Sequence, residues 1–147
     1  MTRMLNNTRN PIAARWLVFL HRNRVPVLAR AWGILLGCDL ACVLPRDVIM
    51  PHPYGIVIHS KAVLGEGVVI MQQVTIGARN VDDRAPVIED NVFIGAGAKV
   101  LGGIRIGRHC IIGANAVVTH DMPPGSTVIG INQIIKQESE IKPRGGK

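Results

Sequence analysis

The stretch "VIMPHPYGIVIHS", Val48 to Ser60, sets two histidines seven residues apart in an apolar run. Imidazole gains and loses a proton near neutral pH, so His52 and His59 are the first side chains to weigh for chemistry. Pro51, Pro53 and Gly55 crowd His52, which makes it either a reactive group on a stiff turn or simply a turn residue. His59, His109 and His120 share no register and form no His-x4-His pair. A catalytic zinc needs three convergent ligands, so these three read as surface residues and no metal is expected. Cys38, Cys42 and Cys110 are too few and too scattered for a disulfide framework or a zinc site; they read as buried, reduced thiols.

Composition limits the scaffold that can position such groups. At 147 residues the chain predicts one domain. Hydrophobic residues make up 48% but aromatics only 3%, so the core must be built from Val, Ile, Leu and Ala. Sixteen glycines and nine prolines exclude a coiled coil, and the spread of apolar residues excludes a disordered chain. The net charge is +7, with basic residues clustered in "TRNPIAAR", "HRNR" and "IKPRGGK". The middle is nearly balanced and lacks rings for base stacking, so nucleic acid is not an expected partner. The most apolar stretch, Trp16 to Leu36, is broken by His21, Arg22, Arg24, Pro26 and Arg30. Neither a cleavable signal nor a membrane span is read, so a cytoplasmic location without membrane contact is expected.

Residues 1–9 read as loose. Asn10 and Pro11 predict a helix start, with Asn10 as the capping side chain. Ile12, Trp16, Phe19 and Leu20 then form one apolar stripe; after Pro26, Leu28, Trp32 and Leu35 form a second, ended by Gly37. Both tryptophans are expected to anchor these helices on a neighbouring surface, with a membrane-surface role as the lesser alternative.

From residue 58 the pattern changes. Ile58, Leu64, Ile70, Ile76, Ile88, Ile94, Val100, Ile106, Ile112 and Val118 recur every six residues, with one gap of twelve. Glycine often follows the aliphatic, as at Gly65, Gly77, Gly95, Gly107 and Gly113, and a small or branched residue lies four places on. Flat strands joined by sharp corners give this period: one side chain per hexapeptide points into a narrow interior, and three hexapeptides close one triangular turn. Successive turns would stack about 4.8 Å apart. The long gap, "GARNVDDRAPV", predicts a loop over 78–86, broken from the pattern at Asn80 and Asp82. The prism is expected to stop near Pro124, which takes the place of the next aliphatic.

The run "VIEDNVFIGAGAKVLGGIRIGRHCIIGANAVVTHDMPPGSTVIG" resembles the hexapeptide-repeat acyltransferases, in particular the serine acetyltransferase and polysaccharide O-acetyltransferase branch. The resemblance covers about residues 37 to 131. It implies a mainly β fold, a left-handed parallel β-helix over 38–131, with a helical cap over 1–37 and a tail over 132–147. It also implies a homotrimer whose active sites lie between subunits, with acetyl-CoA as the co-substrate. "IMPHPYGIVI" is similar to the segment carrying that family's general base, which points to His52; Asp39 in "GCDLAC" resembles its partner carboxylate, with Asp47 as a rival. Gly77, Ala78, Gly95, Ala96, Gly113 and Ala114 resemble positions that let CoA lie along the prism wall. Lys99, and the region of Lys136, would meet its charged end. Arg84 and Tyr54 are the expected acceptor contacts.

Departures from the serine enzymes are plain. Pro51 stands where they carry an acid before the histidine, and "DRAP" replaces "DRHP", so that Ala85 takes the place of a histidine. The helical part is short and the chain ends in Gly-Gly-Lys. These departures set a sugar hydroxyl in polysaccharide synthesis as the expected acceptor. Serine O-acetylation is the alternative, and a non-catalytic binding or assembly protein is a second one.

Overall fold

The computed structural model describes residues 10–23, 25–79 and 83–136. Its strands are two to four residues long and stack into three flat walls. The first wall holds β1 (Asp39–Leu40), β2 (Val57–Ile58), β5 (Thr75–Gly77), β8 (Lys99–Leu101) and β11 (Val117–Val118). The second holds β3 (Val63–Leu64), β6 (Val87–Ile88) and β9 (Arg105–Ile106). The third holds β4 (Val69–Ile70), β7 (Phe93–Ile94), β10 (Ile111–Ile112), β12 (Thr127–Ile129) and β13 (Gln133–Lys136). Pairing is parallel throughout except for β13, which folds back antiparallel on β12. Asp39 pairs with Val57 and Val57 with Thr75, so one coil takes three hexapeptides. The fold is a left-handed parallel β-helix.

The six-residue ladder fills the interior: Ile58, Ile70, Ile76, Ile88, Ile94, Ile106 and Ile112 are sealed from solvent. Each such burial contributes roughly 1.5–3 kcal/mol. One inward side chain per hexapeptide proves too few. Val68, Val74, Val92, Ala98, Cys110 and Ala116, each two places before a ladder residue, are buried as well. Residues i and i+2 share one face of a strand, so the second residue of each two-residue strand and the residue just before that strand both aim inward, while the first strand residue points out. No ring enters the prism: Phe93 is half-buried and Tyr54 is exposed.

The register of the coils shifts between β5 and β6. Val63 pairs with Val87, Val69 with Phe93 and Thr75 with Lys99. Each of these pairs is one hexapeptide longer than a regular coil, and the extra hexapeptide is extruded between β5 and β6. Asn80 and Asp82 lie outside the described residues. Asp83 ties the loop to the preceding coil through Lys61 and His59. The prism does not stop at Pro124. Met122 bridges Ile106, and Ile112 pairs with Val128; both spans fall two places short of a regular coil. The preceding corner is the part that is shortened, so Met122 takes the inward place early and Pro124 becomes a corner residue against Gly107.

Helices α1 (Ile12–Arg22) and α2 (Pro26–Leu35) precede the first coil. Asn10 does not cap α1. Its amide instead clamps the strand before His52, donating to Val48 O at 2.8 Å and accepting Met50 N–H at 2.6 Å. Helix α2 ends as expected at Gly37, whose φ is +62°; Cys38 N–H reaches Gly33 O at 2.7 Å and Gly37 N–H reaches Ile34 O at 3.0 Å. The apolar stripe of α1 faces outward, against expectation. Ala14, Leu17 and Val18 are buried, whereas Trp16 and Phe19 are 52% and 55% exposed. The helix packs by its smaller side chains, which allow a closer approach than rings would. Trp32 does anchor: it is half-buried and donates to Ala13 O at 3.2 Å.

Two outcomes follow for stability. A Cβ on Gly95 would lie 2.6 Å from Ala114 N, whereas one on Gly77 would meet nothing nearer than Leu101 Cδ2 at 3.9 Å. Gly95→Ala should therefore cost about 1–3 kcal/mol, read as a lower urea midpoint. Gly77→Ala should leave the midpoint nearly unchanged. Burial pushes the Cys42 thiol up to about 11 from an ordinary 9.0. A group raised on folding contributes stability that is complete below its unfolded value and is lost as pH rises through the folded one. Melting temperatures should fall between about pH 9 and 11, and Cys42→Ala should flatten that limb.

Candidate active site

His52 stands on the edge where the third wall turns into the first. Ordinary corners on this edge separate inward residues by six places, as from Ile70 to Ile76 or Ile112 to Val118. In the first coil Ile49 bridges Val69, two places more than a regular coil, so the step from Met50 to Ile58 is eight. The two extra residues swell this corner, and they fall in the segment Pro51–Gly55.

The swollen corner is firmly held. Prolines 51 and 53 offer no N–H, and Gly55 adopts the left-handed conformation at φ +64°. Tyr54 N–H donates to His52 O and Gln73 N–H to Tyr54 O, both at 2.8 Å. Gly55 N–H reaches Leu36 O at 3.1 Å. The buried Cys38 thiol donates to Pro53 O at 3.1 Å and accepts Ile56 N–H at 3.4 Å. Desolvation raises its pKa, so the thiol keeps the proton it donates. His52 and Tyr54 are left exposed on a pinned backbone.

The same edge carries most of the residues expected to hold CoA. Gly97 N–H bonds Gln72 O at 2.9 Å and Asn115 N–H bonds Ala96 O at 2.8 Å, stacking coil on coil. Gly95, Ala96, Gly113 and Ala114 thus share the His52 edge, two and three coils away, or roughly 10 and 14 Å at the strand spacing. Lys99 Nζ donates to Gln73 O at 2.8 Å and so faces this edge. Lys136 ends β13 on the third wall.

Other expected residues stand apart. Gly77, Ala78 and Arg84 belong to the edge between the first and second walls. Arg84 lies against Gly103 beside a charged hollow of about 530 Å³ that Lys61, Asp83, Arg105 and Asp121 also line. Within one chain His52 and Arg84 do not meet. Asp39 is exposed on β1 and lines a groove of about 710 Å³ under the helices with His21 and Arg30. Among the described residues no hydrogen bond joins Asp39 to His52. Asp47 is committed elsewhere, accepting Gly67 N–H at 2.6 Å.

The remaining histidines have local roles. His59 Nε2 lies 3.3 Å from Asp83. His109 is a corner residue at φ +59°, His120 touches Thr119 Oγ1, and His21 meets Cys42 O at 2.7 Å. Sequence reasoning misses Gln72, whose Oε1 is buried without a hydrogen-bond partner one coil from His52. The signal is visible: two glutamines occupy a corner where later coils carry Ala96-Gly97 and Ala114-Asn115. It also misses Asn10 and Cys38, which pin either side of the His52 corner.

The family described as "Bacterial transferase hexapeptide (six repeats)" matches residues 85–120. A serine acetyltransferase of Mycobacterium tuberculosis is 40% identical over 127 residues, which is 81% of this chain and 56% of that protein. The solved serine acetyltransferase of Neisseria gonorrhoeae in complex with serine superposes with a TM-score of 0.63 at 35% identity, covering 82% of this chain and 52% of that one. A serine acetyltransferase in complex with CoA gives 0.60 at 28% identity, covering 84% and 54%. The chain spans about half the length of the curated relatives it matches. These likenesses correct the expected acceptor. Relatives at 37–40% identity are named for serine, not for a polysaccharide, so Pro51 and Ala85 are point departures within a serine acetyltransferase-like sequence. Coil register, repeat and likeness agree: the chain belongs to the hexapeptide-repeat transferases of left-handed β-helix fold.

Proposed function

We propose that this chain is an acetyl-CoA-dependent serine O-acetyltransferase, with His52 as the general base. The observation that carries this reading is the exposed imidazole on a swollen, pinned corner, directly in line with the small-residue edge suited to CoA. The relatives named serine acetyltransferase support serine as the acceptor.

In this mechanism the His52 imidazole takes the proton of the serine hydroxyl as its oxygen attacks the thioester carbonyl. The tetrahedral oxyanion collapses, the carbon–sulfur bond breaks, and the departing thiolate takes the proton back from the imidazolium. A thioester has a good leaving group, so no acyl-enzyme is required. Backbone N–H groups near Gly77, where no close contact forces a glycine, suit the oxyanion. Asp39 is the carboxylate assigned to orient His52, since the carboxylate of Asp47 already serves Gly67. His52 and Arg84 occupy different edges of one prism. Both can serve one acceptor only where edges of neighbouring subunits meet, so the working unit in this proposal is a trimer. Tyr54, on the His52 corner, flanks the acceptor.

The test is release of free CoA thiol from acetyl-CoA by the purified chain given L-serine. His52→Ala should lower kcat by about 10²- to 10⁴-fold, with its melting temperature unchanged because the side chain is exposed. Asp39→Asn should lower kcat without loss of stability, whereas Asp47→Asn should lower the melting temperature more than kcat. No serine-dependent thiol release, or an unchanged rate in His52→Ala, would overturn the assignment.

A further inference from the structure

The outward face of α1 is not explained by folding or by the proposed chemistry. Ile12, Trp16 and Phe19 lie at i, i+4 and i+7 and all project to solvent. The rings of Trp16 and Phe19 meet edge to face with centroids 5.8 Å apart. With Ile12 and Arg15 they line one shallow hollow of about 410 Å³. Helix α2 adds Val27, Leu28, Ile34 and Leu35, all more than half exposed. Among the described residues nothing packs over these side chains.

The charge of the segment that carries this face is one-sided. Residues 1–38 hold six arginines and no aspartate or glutamate, while residues 39–147 hold eleven basic against ten acidic residues. Almost the whole net charge of +7 therefore sits in the segment that carries the exposed rings. A second copy presenting the same face would bring like charge to like charge. Negative charge on the occupant removes that cost, and projecting rings beside the Arg15 guanidinium, on a segment rich in arginine, suit a surface into which rings can sink while the cations stay at the charged layer. No helix among the described residues is long and apolar enough to cross a membrane, so contact would be along the surface.

We propose that the α1–α2 face is an interfacial docking surface for an anionic phospholipid bilayer, with Trp16 and Phe19 as the inserting side chains. This revises the expectation of no membrane contact and is independent of the acetyl-transfer reading. The test is co-sedimentation of the full chain with phosphatidylcholine vesicles, with and without phosphatidylglycerol, at low and high salt. Binding should need phosphatidylglycerol, weaken with salt, and shift tryptophan emission to the blue. A Trp16→Ser, Phe19→Ser double variant should bind at least tenfold more weakly with its melting temperature kept, since both side chains are already exposed. Arg15→Glu should weaken binding too. The proposal is overturned by no binding to anionic vesicles, by equal binding to neutral ones, or by a double variant that binds like the parent. It is equally overturned if the chain binds no vesicles and the double variant changes oligomeric mass by light scattering, which would make the face a subunit contact.

Discussion

Backbone hydrogen bonding between successive coils is the constraint on which this structure depends. Each coil must return to the same wall at one strand spacing, so closure in three hexapeptides is enforced at every level at once. That requirement explains the composition. Corners tight enough to close the prism use left-handed residues in a vertical column, at Gly37, Gly55, Gln73, Gly97 and Asn115. Coils close enough to bond leave no room for a Cβ at Gly65, Gly95 or Gly107. An interior this narrow admits aliphatics and thiols but no rings, which is why so few aromatic residues suffice for the whole chain.

A lattice so strict makes its own exceptions informative. The first coil shortens before Met50 and lengthens after it, the second extrudes a hexapeptide, and the last loses two places before Met122. Each exception is pinned by side chains that the regular coils do not need. Asn10 and Cys38 hold the His52 corner, Asp83 holds the loop, and the Cys110 thiol donates to Pro123 O at 3.0 Å beside the shortened corner. Irregular backbone leaves coil-to-coil bonds unmade, and these polar contacts replace them. The candidate base and the candidate acceptor arginine both sit at such exceptions, where a side chain can leave the wall.

The ladder is legible in the sequence because its period is dictated by closure and every inward position repeats it. The loop and the end of α2 are legible for related reasons: a doubled gap can only be extruded, and Gly37 can only turn. What escapes is whatever depends on a partner far along the chain. Nothing near Asn10 tells that its amide will bind residues 48–50 instead of capping α1. The shift at Met122 is hidden because methionine and proline both break the aliphatic pattern. The outward face of α1 is misread because the hydrophobic stripe names an apolar face without saying what covers it; Ala14, Leu17 and Val18 form a second, smaller one that fits the coil better. The acceptor is misjudged when Pro51 and Ala85 are given more weight than the body of the sequence around them.

Pro51 still has a physical consequence. An acid immediately before the base would bring a negative charge to the acceptor's amine; a proline brings none, and it removes an N–H from the corner as well. A serine bound here must have its ammonium met by another group. The edge opposite offers carboxylates at Asp83 and Asp121 beside Arg84, and Asp83 is already drawn toward Lys61 and His59. In the proposed reading Arg84 suits the serine carboxylate, and Asp121, one of whose oxygens accepts Arg105 N–H at 2.8 Å, suits its ammonium through the other; both lie on the edge that a neighbouring subunit would bring to His52. On this arrangement the base belongs to one subunit and amino-acid recognition to the next. In the proposed reading, a change at position 51 then alters affinity for the acceptor without disturbing proton transfer at the pinned corner of His52.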